Sequence, residues 1–129
     1  MFKISPINDP ILQKEYANAC GTDVRPGFFA YSMTDVETGA LMGFSQFEIS
    51  SGEGYLSDLL PYGNEDDFEA MFILARQTMN FIDMCGASKL YASATAADER
   101  LLRAAGFKKT ENGDFFCDMT GMFTGKCNH

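Results

Sequence analysis

The sequence has no tryptophan and a single histidine, the terminal His129. A zinc site or a histidine-based catalytic dyad is therefore not expected, and no metal is assigned. The four cysteines, Cys20, Cys85, Cys117 and Cys127, are scattered and form no C-x-x-C pair, which argues against a disulfide scaffold. No apolar run reaches membrane-spanning length, and the opening "MFKISPINDP" lacks the charged-then-apolar pattern of a secretory leader. The expectation is a reduced, cytoplasmic protein with no membrane partner.

Cations are also missing from the middle of the chain. Between Arg25 and Arg76 there is no Lys or Arg, while nine acids fall there: Asp35, Glu37, Glu48, Glu53, Asp58, Glu65, Asp66, Asp67 and Glu69. Nucleic acids are held mainly by cations on phosphates, so with a formal charge of −8 no nucleic-acid partner is expected. A cationic small molecule suits this block better, although acids also serve solubility alone.

What the chain does have is core material. Its 129 residues are 46% hydrophobic, with 12 Phe, 8 Met and 5 Tyr, enough for one domain that buries roughly two-thirds of its unfolded surface. The run "FKIS" at 2–5 reads as a strand ended by Pro6. Asn8 or Asp9 then caps a short helix with Pro10 at its first position and Gly21 beyond its end. The alternating runs "FFAYSMTD" and "ALMGFSQFEIS", joined by "VETG", read as a hairpin. "GYLSDLL" is a further strand, with Tyr55, Ser57 and Leu59 on one face and Leu56, Asp58 and Leu60 on the other.

From Glu65 to Cys85, apolar residues recur at three and four, the spacing of an amphipathic helix stopped by Gly86. "KLYASA" reads as a strand, "ADERLLRAAG" as a helix with Leu101 and Leu102 inward, and "FKKT" and "DFFCDM" as a closing pair of strands. The tail from Thr120 reads as loose, and its Met122 and Phe123 suggest a homodimer contact if they stay uncovered. The order β-α-β-β-β-α-β-α-β-β implies a mixed α/β domain, a central, mostly antiparallel sheet flanked by helices.

That order, with "TGALMGF" on the hairpin, "YLSDLLP" leading into a loop and "DERLLRAAGF" before the closing strands, resembles the GNAT family of acetyl-coenzyme-A-dependent N-acetyltransferases. The resemblance runs from about Phe28 to Met119. It implies the GNAT acyltransferase fold, acetyl-coenzyme A as donor and a small amine as acceptor. Only residues 5–27 stand where the family has two helices, so the N-terminal helical part should be truncated and the acceptor side open.

The family's cofactor loop, an Arg/Gln-x-x-Gly-x-Gly/Ala run, corresponds here to "YGNEDDFEA", with one glycine, no arginine and four carboxylates. A helix N-terminus attracts anions because its first amides lack partners, and here the chain's own carboxylates can serve that need. Asn64 is the expected N-cap, with Asp67 at the capping-box position. By the resemblance, Leu59, Leu60, Gly63, Asn64 and Thr95 are the cofactor-binding candidates, Thr95 replacing the family's asparagine, and Leu102 stands where a general-acid tyrosine is common. Asp58 is the candidate base among Glu53, Tyr55, Asp58 and Tyr62, because an acid within an apolar strand must face a cleft or find a partner. Its other reading is a carboxylate held at a strand splay by backbone amides. Arg76, Arg100 and Arg103 could reach the cofactor's 3′-phosphate. The alternative function is a catalytically inactive GNAT-fold binding or dimerisation module.

Overall fold

The computed structural model describes residues 1–63 and 67–123. Its elements are β1 (Phe2–Pro6), α1 (Pro10–Ala19), β2 (Phe29–Asp35), β3 (Leu41–Ser50), β4 (Glu53–Pro61), α2 (Phe68–Met84), β5 (Lys89–Ala92), α3 (Glu99–Ala105), β6 (Lys108–Lys109) and β7 (Phe115–Asp118). Seven strands form one sheet in the order β1-β2-β3-β4-β5-β7-β6. Every neighbouring pair is antiparallel except β4 and β5, which are parallel because α2 carries the chain over one face between them.

Local chemistry accounts for most boundaries. Asp9 caps α1 by accepting from the Ile11 amide at 2.9 Å, with Pro10 at the first helical position where no amide is needed. The turn between β3 and β4 uses Ser51 and Gly52, both at positive φ (54° and 78°), the backbone shape that matches a tight hairpin's twist. α2 begins later than its apolar spacing suggests. Asp67, not Asn64, is its N-cap and accepts from the Ala70 amide at 3.0 Å, so the helix runs Phe68–Met84. Asn64 lies outside the described residues.

The two sheet faces are covered unequally. α2 and α3 cover one face with the main core, which includes Met33, Phe47, Leu59, Leu74, Ile82, Leu90, Leu102 and Phe115. Gly54 lets α2 approach closely, since a Cβ there would meet Ile82 Cγ2 at 2.7 Å and Leu90 Cδ1 at 3.0 Å. The other face is covered by α1 only toward β3, through Ile7, Ala17, Ala30 and Phe44. There Tyr55, Tyr91 and Phe116, on β4, β5 and β7, form a half-buried aromatic row, with Tyr55 and Tyr91 stacked 5.6 Å apart.

Two sequence expectations change here. Strict alternation along β4 fails, because Gln46 pairs with Asp58 while its neighbour Phe47 pairs with Leu56. Ser57 is thus an extra residue, a bulge that turns Leu56 and Leu59 to the same core and leaves Asp58 on the opposite side. The tail is also less loose than expected as far as it is described. Met119 is fully buried, and Met122 and Phe123 pack against the main core, which removes them as a free dimer contact.

Candidate functional site

The bulge at Ser57 ends the pairing of β4 with β5. Their last register pair is Leu56 with Ala92, after which the strands splay. A cleft of about 850 Å³ opens there. Its walls are Tyr55, Leu56 and Ser57 from β4, Tyr91, Ala92 and the following Ser93 from β5, Phe115 from β7, and Thr110, Glu111, Asn112 and Asp114 from the loop before β7. Arg25, from the connector between α1 and β2, supplies the one lining cation among the described residues.

Asp58 sits behind this cleft, with only 4% of its surface exposed. Arg25 Nε donates to its Oδ2 at 2.7 Å and Nη2 to Oδ1 at 3.4 Å. Thr22 Oγ1 donates at 2.9 Å and Gln46 Nε2 at 2.9 Å. The splayed carboxylate is thus held by side chains rather than by the backbone amides one sequence reading offered. Asp58 thus accepts from three side chains, two of its four contacts coming from Arg25, and its geometry suits holding that guanidinium. The hydrogen bond from Arg25 to Asp58 is also the main reason the guanidinium's pKa is raised.

The network continues into α1. Gln46 Oε1 accepts from Gln13 Nε2 at 2.9 Å and from the Arg25 amide at 2.9 Å, and Gln46 Nε2 also donates to the Asp23 carbonyl at 3.0 Å. Arg25 is therefore fixed at both its backbone and one edge of its guanidinium. Sequence reading did not single it out. The signal was its place as the last cation before the cation-free stretch, where a buried acid must look for its partner.

On the aromatic row, Tyr55 Oη donates to Glu53 Oε1 at 3.0 Å and Tyr91 Oη to Glu53 Oε2 at 3.4 Å. The bond to Glu53 raises the Tyr55 pKa, so its phenol is a donor and not a base near neutrality.

The remaining candidates fall on different parts of the splay. Leu59 is buried, and its amide donates to the Ala96 carbonyl at 2.8 Å. The segment between β5 and α3 therefore occupies this backbone donor. Leu60 pairs with Phe44 of β3, and Gly63 turns the chain at φ 60°. Thr95 is exposed and shares a hydrogen bond with the Ser93 hydroxyl at 3.2 Å. Leu102 is fully buried in the core and offers no proton.

Each of the three arginines considered for a phosphate has a contact within the chain, although the buried Arg76 Nε has no hydrogen-bond partner among the described residues. Arg76 lies over the rings of Phe72 and Phe123 at 5.7 and 5.2 Å, Arg100 over Phe68 at 4.0 Å, and Arg103 binds Glu99 at 2.8 Å. Among the described residues no group of three His, Cys, Asp or Glu could hold a metal ion, and no helix is long and apolar enough to cross a membrane.

No family model matches this sequence, and no curated protein matches it. Solved structures do. The ribosomal-protein-S18-alanine N-acetyltransferase of Escherichia coli is 13% identical with a TM-score of 0.65, the match covering 90% of this chain and 91% of that one. AtaTR bound with AcCoA is 14% identical at 0.66, covering 94% and 95%. The KacTA-DNA complex is 13% identical at 0.70, covering the whole of both chains. Identities this low carry architecture rather than chemistry. The mixed sheet, the order of its elements and these likenesses together make the fold that of the GNAT acetyltransferases.

Proposed function

We propose that this protein is acetyltransferase-like and takes a small amine into the cleft at the β4 bulge, with acetyl-coenzyme A as the donor the fold implies. The observation that carries the reading is the bulge at Ser57, which parts β4 from β5 and opens a chamber of about 850 Å³ at the splay. Acids on the cleft, Glu111 and Asp114, suit a protonated amine on arrival.

The described residues do not fit the donor as they stand. Asp67 takes up the Ala70 amide at the start of α2 and Glu69 adds charge to its first turn, where a pyrophosphate would meet repulsion. The Leu59 amide is spent on Ala96. A second reading is that the same cleft binds its ligand without acyl transfer.

Calorimetric titration with acetyl-coenzyme A, with thermal unfolding alongside, separates the two. A ligand that binds the folded state at about a hundred times its Kd adds roughly 2.7 kcal/mol of stability. Micromolar binding, with the Leu59 amide changing partner, supports transfer. No heat and no shift at millimolar cofactor removes the donor and leaves the binding module.

A further inference from the structure

We propose that the cleft selects a zwitterion, an amine that also carries a carboxylate, as in a free amino acid, and that Arg25 is the residue that reads the carboxylate. This deepens the acetyltransferase-like reading of the same cleft, since such a ligand supplies the amine.

The argument begins with what Arg25 has left over. Its Nε and Nη2 are used on Asp58, and among the described residues its Nη1 has no hydrogen-bond partner. Asp58 does not need that third nitrogen, because Thr22 and Gln46 already satisfy its other lone pairs. The side chain is 41% exposed and lines the cleft. A guanidinium pinned on one edge and at its backbone, with the other edge open to a cavity, loses little further freedom when an anion docks.

Charge then decides which anion. The Arg25–Asp58 pair is neutral as a unit, and the loop before β7 adds Glu111 and Asp114 to the cleft's rim. A simple carboxylate would be repelled by that rim, and a simple amine would leave Arg25 unused. A molecule with both groups meets the open edge of the Arg25 guanidinium with its carboxylate and the acids with its amine, and its body lies against the stacked Tyr55 and Tyr91.

The test needs no donor. Three probes of one skeleton, phenylalanine, phenethylamine and 3-phenylpropanoate, are titrated into the full chain by calorimetry and amide chemical shifts. Phenylalanine is expected to bind at least about tenfold tighter than either of the others, the factor contributed by one charge-assisted hydrogen bond. In Arg25→Gln that advantage over phenethylamine should vanish. Arg25→Lys, which keeps the charge without the fork, should retain part of it and serves if Arg25→Gln fails to fold. Equal binding of phenylalanine and phenethylamine to the wild type overturns the proposal, as does binding of none of the three up to about 10 mM, a concentration at which even a ligand weaker than −4 kcal/mol registers. Failure of acetyl-coenzyme A to bind would sink the donor reading and leave this selectivity intact.

Discussion

Cutting the Arg25–Asp58 pair from one side should cost much more than cutting it from the other. Arg25→Ala leaves the Asp58 carboxylate, 5% exposed, with only the Thr22 hydroxyl and the Gln46 amide for company. An uncompensated buried charge costs about 3 to 5 kcal/mol. Asp58→Ala leaves a guanidinium that is already 41% exposed and can turn into the cleft, while Gln46 Nε2 keeps its bond to the Asp23 carbonyl. That loss is about 1.5 to 3 kcal/mol, the range for hydrogen bonds to a charged group. With a urea slope of about 2 kcal/mol per molar, the two variants should unfold roughly 1 M apart, Arg25→Ala first. Urea melts of both variants and the double variant at pH 7 measure this directly. If Asp58→Ala proves the less stable, the view of Asp58 as a buried holder of Arg25 is wrong.

Other consequences follow from the same structure. Gly54→Ala should cost about 2 to 3 kcal/mol by over-packing against the stiff Ile82, whereas Gly43→Ala, which meets the flexible Met71 Sδ at 2.9 Å, should cost about 1 kcal/mol, both read from denaturant midpoints. Asp67→Ala should lower stability by about 1 kcal/mol through loss of the α2 cap, and an unchanged melting curve would place the cap elsewhere. Burial raises the Cys20 thiol to about 11, so in a Cys127→Ser variant Cys85, which is exposed, should react with an alkylating agent at pH 8 well before Cys20. Because the folded state keeps that Cys20 proton longer than the unfolded state, the stability it confers should be full below about pH 9 and lost as pH climbs toward 11, a fall that should be shallower in a Cys20→Ser variant, where only groups such as Cys117 and Tyr31 still contribute to it. Amide exchange at Leu59 should be slow if Ala96 holds it, and fast exchange would reopen the splay to a thioester.

Periodicity made the layers legible in part: the α2 stripe buries one face as its spacing dictates, whereas β2 and β3 are buried on both faces, Tyr31, Met33 and Phe47 toward α2 and Ala30 and Phe44 toward α1. What it could not show was the bulge. One extra residue at Ser57 leaves no mark in a pattern of apolar and polar letters, yet it reverses the facing of Leu59 relative to Leu56. The start of α2 was misplaced for a related reason. Several adjacent residues able to cap, from Asn64 to Asp67, compete for one role, and the choice of Asp67 is made where the chain leaves β4. The cleft's residues were half visible. Asp58 announced itself as an acid in an apolar strand, but Arg25 comes from a connector 33 positions away, and only folding puts them together.

The smallest strand has an effect beyond this molecule. β6 is two residues long, and both of them, Lys108 and Lys109, are exposed lysines at the far border of the sheet. At the opposite border, β1 carries Lys3 and ends in Pro6, which has no amide to give. Short, charged and proline-ended borders discourage two sheets from joining side by side. Copies of this chain that do associate should therefore meet through faces and helices, and stay out of the continuous cross-strand ladders from which fibrils grow.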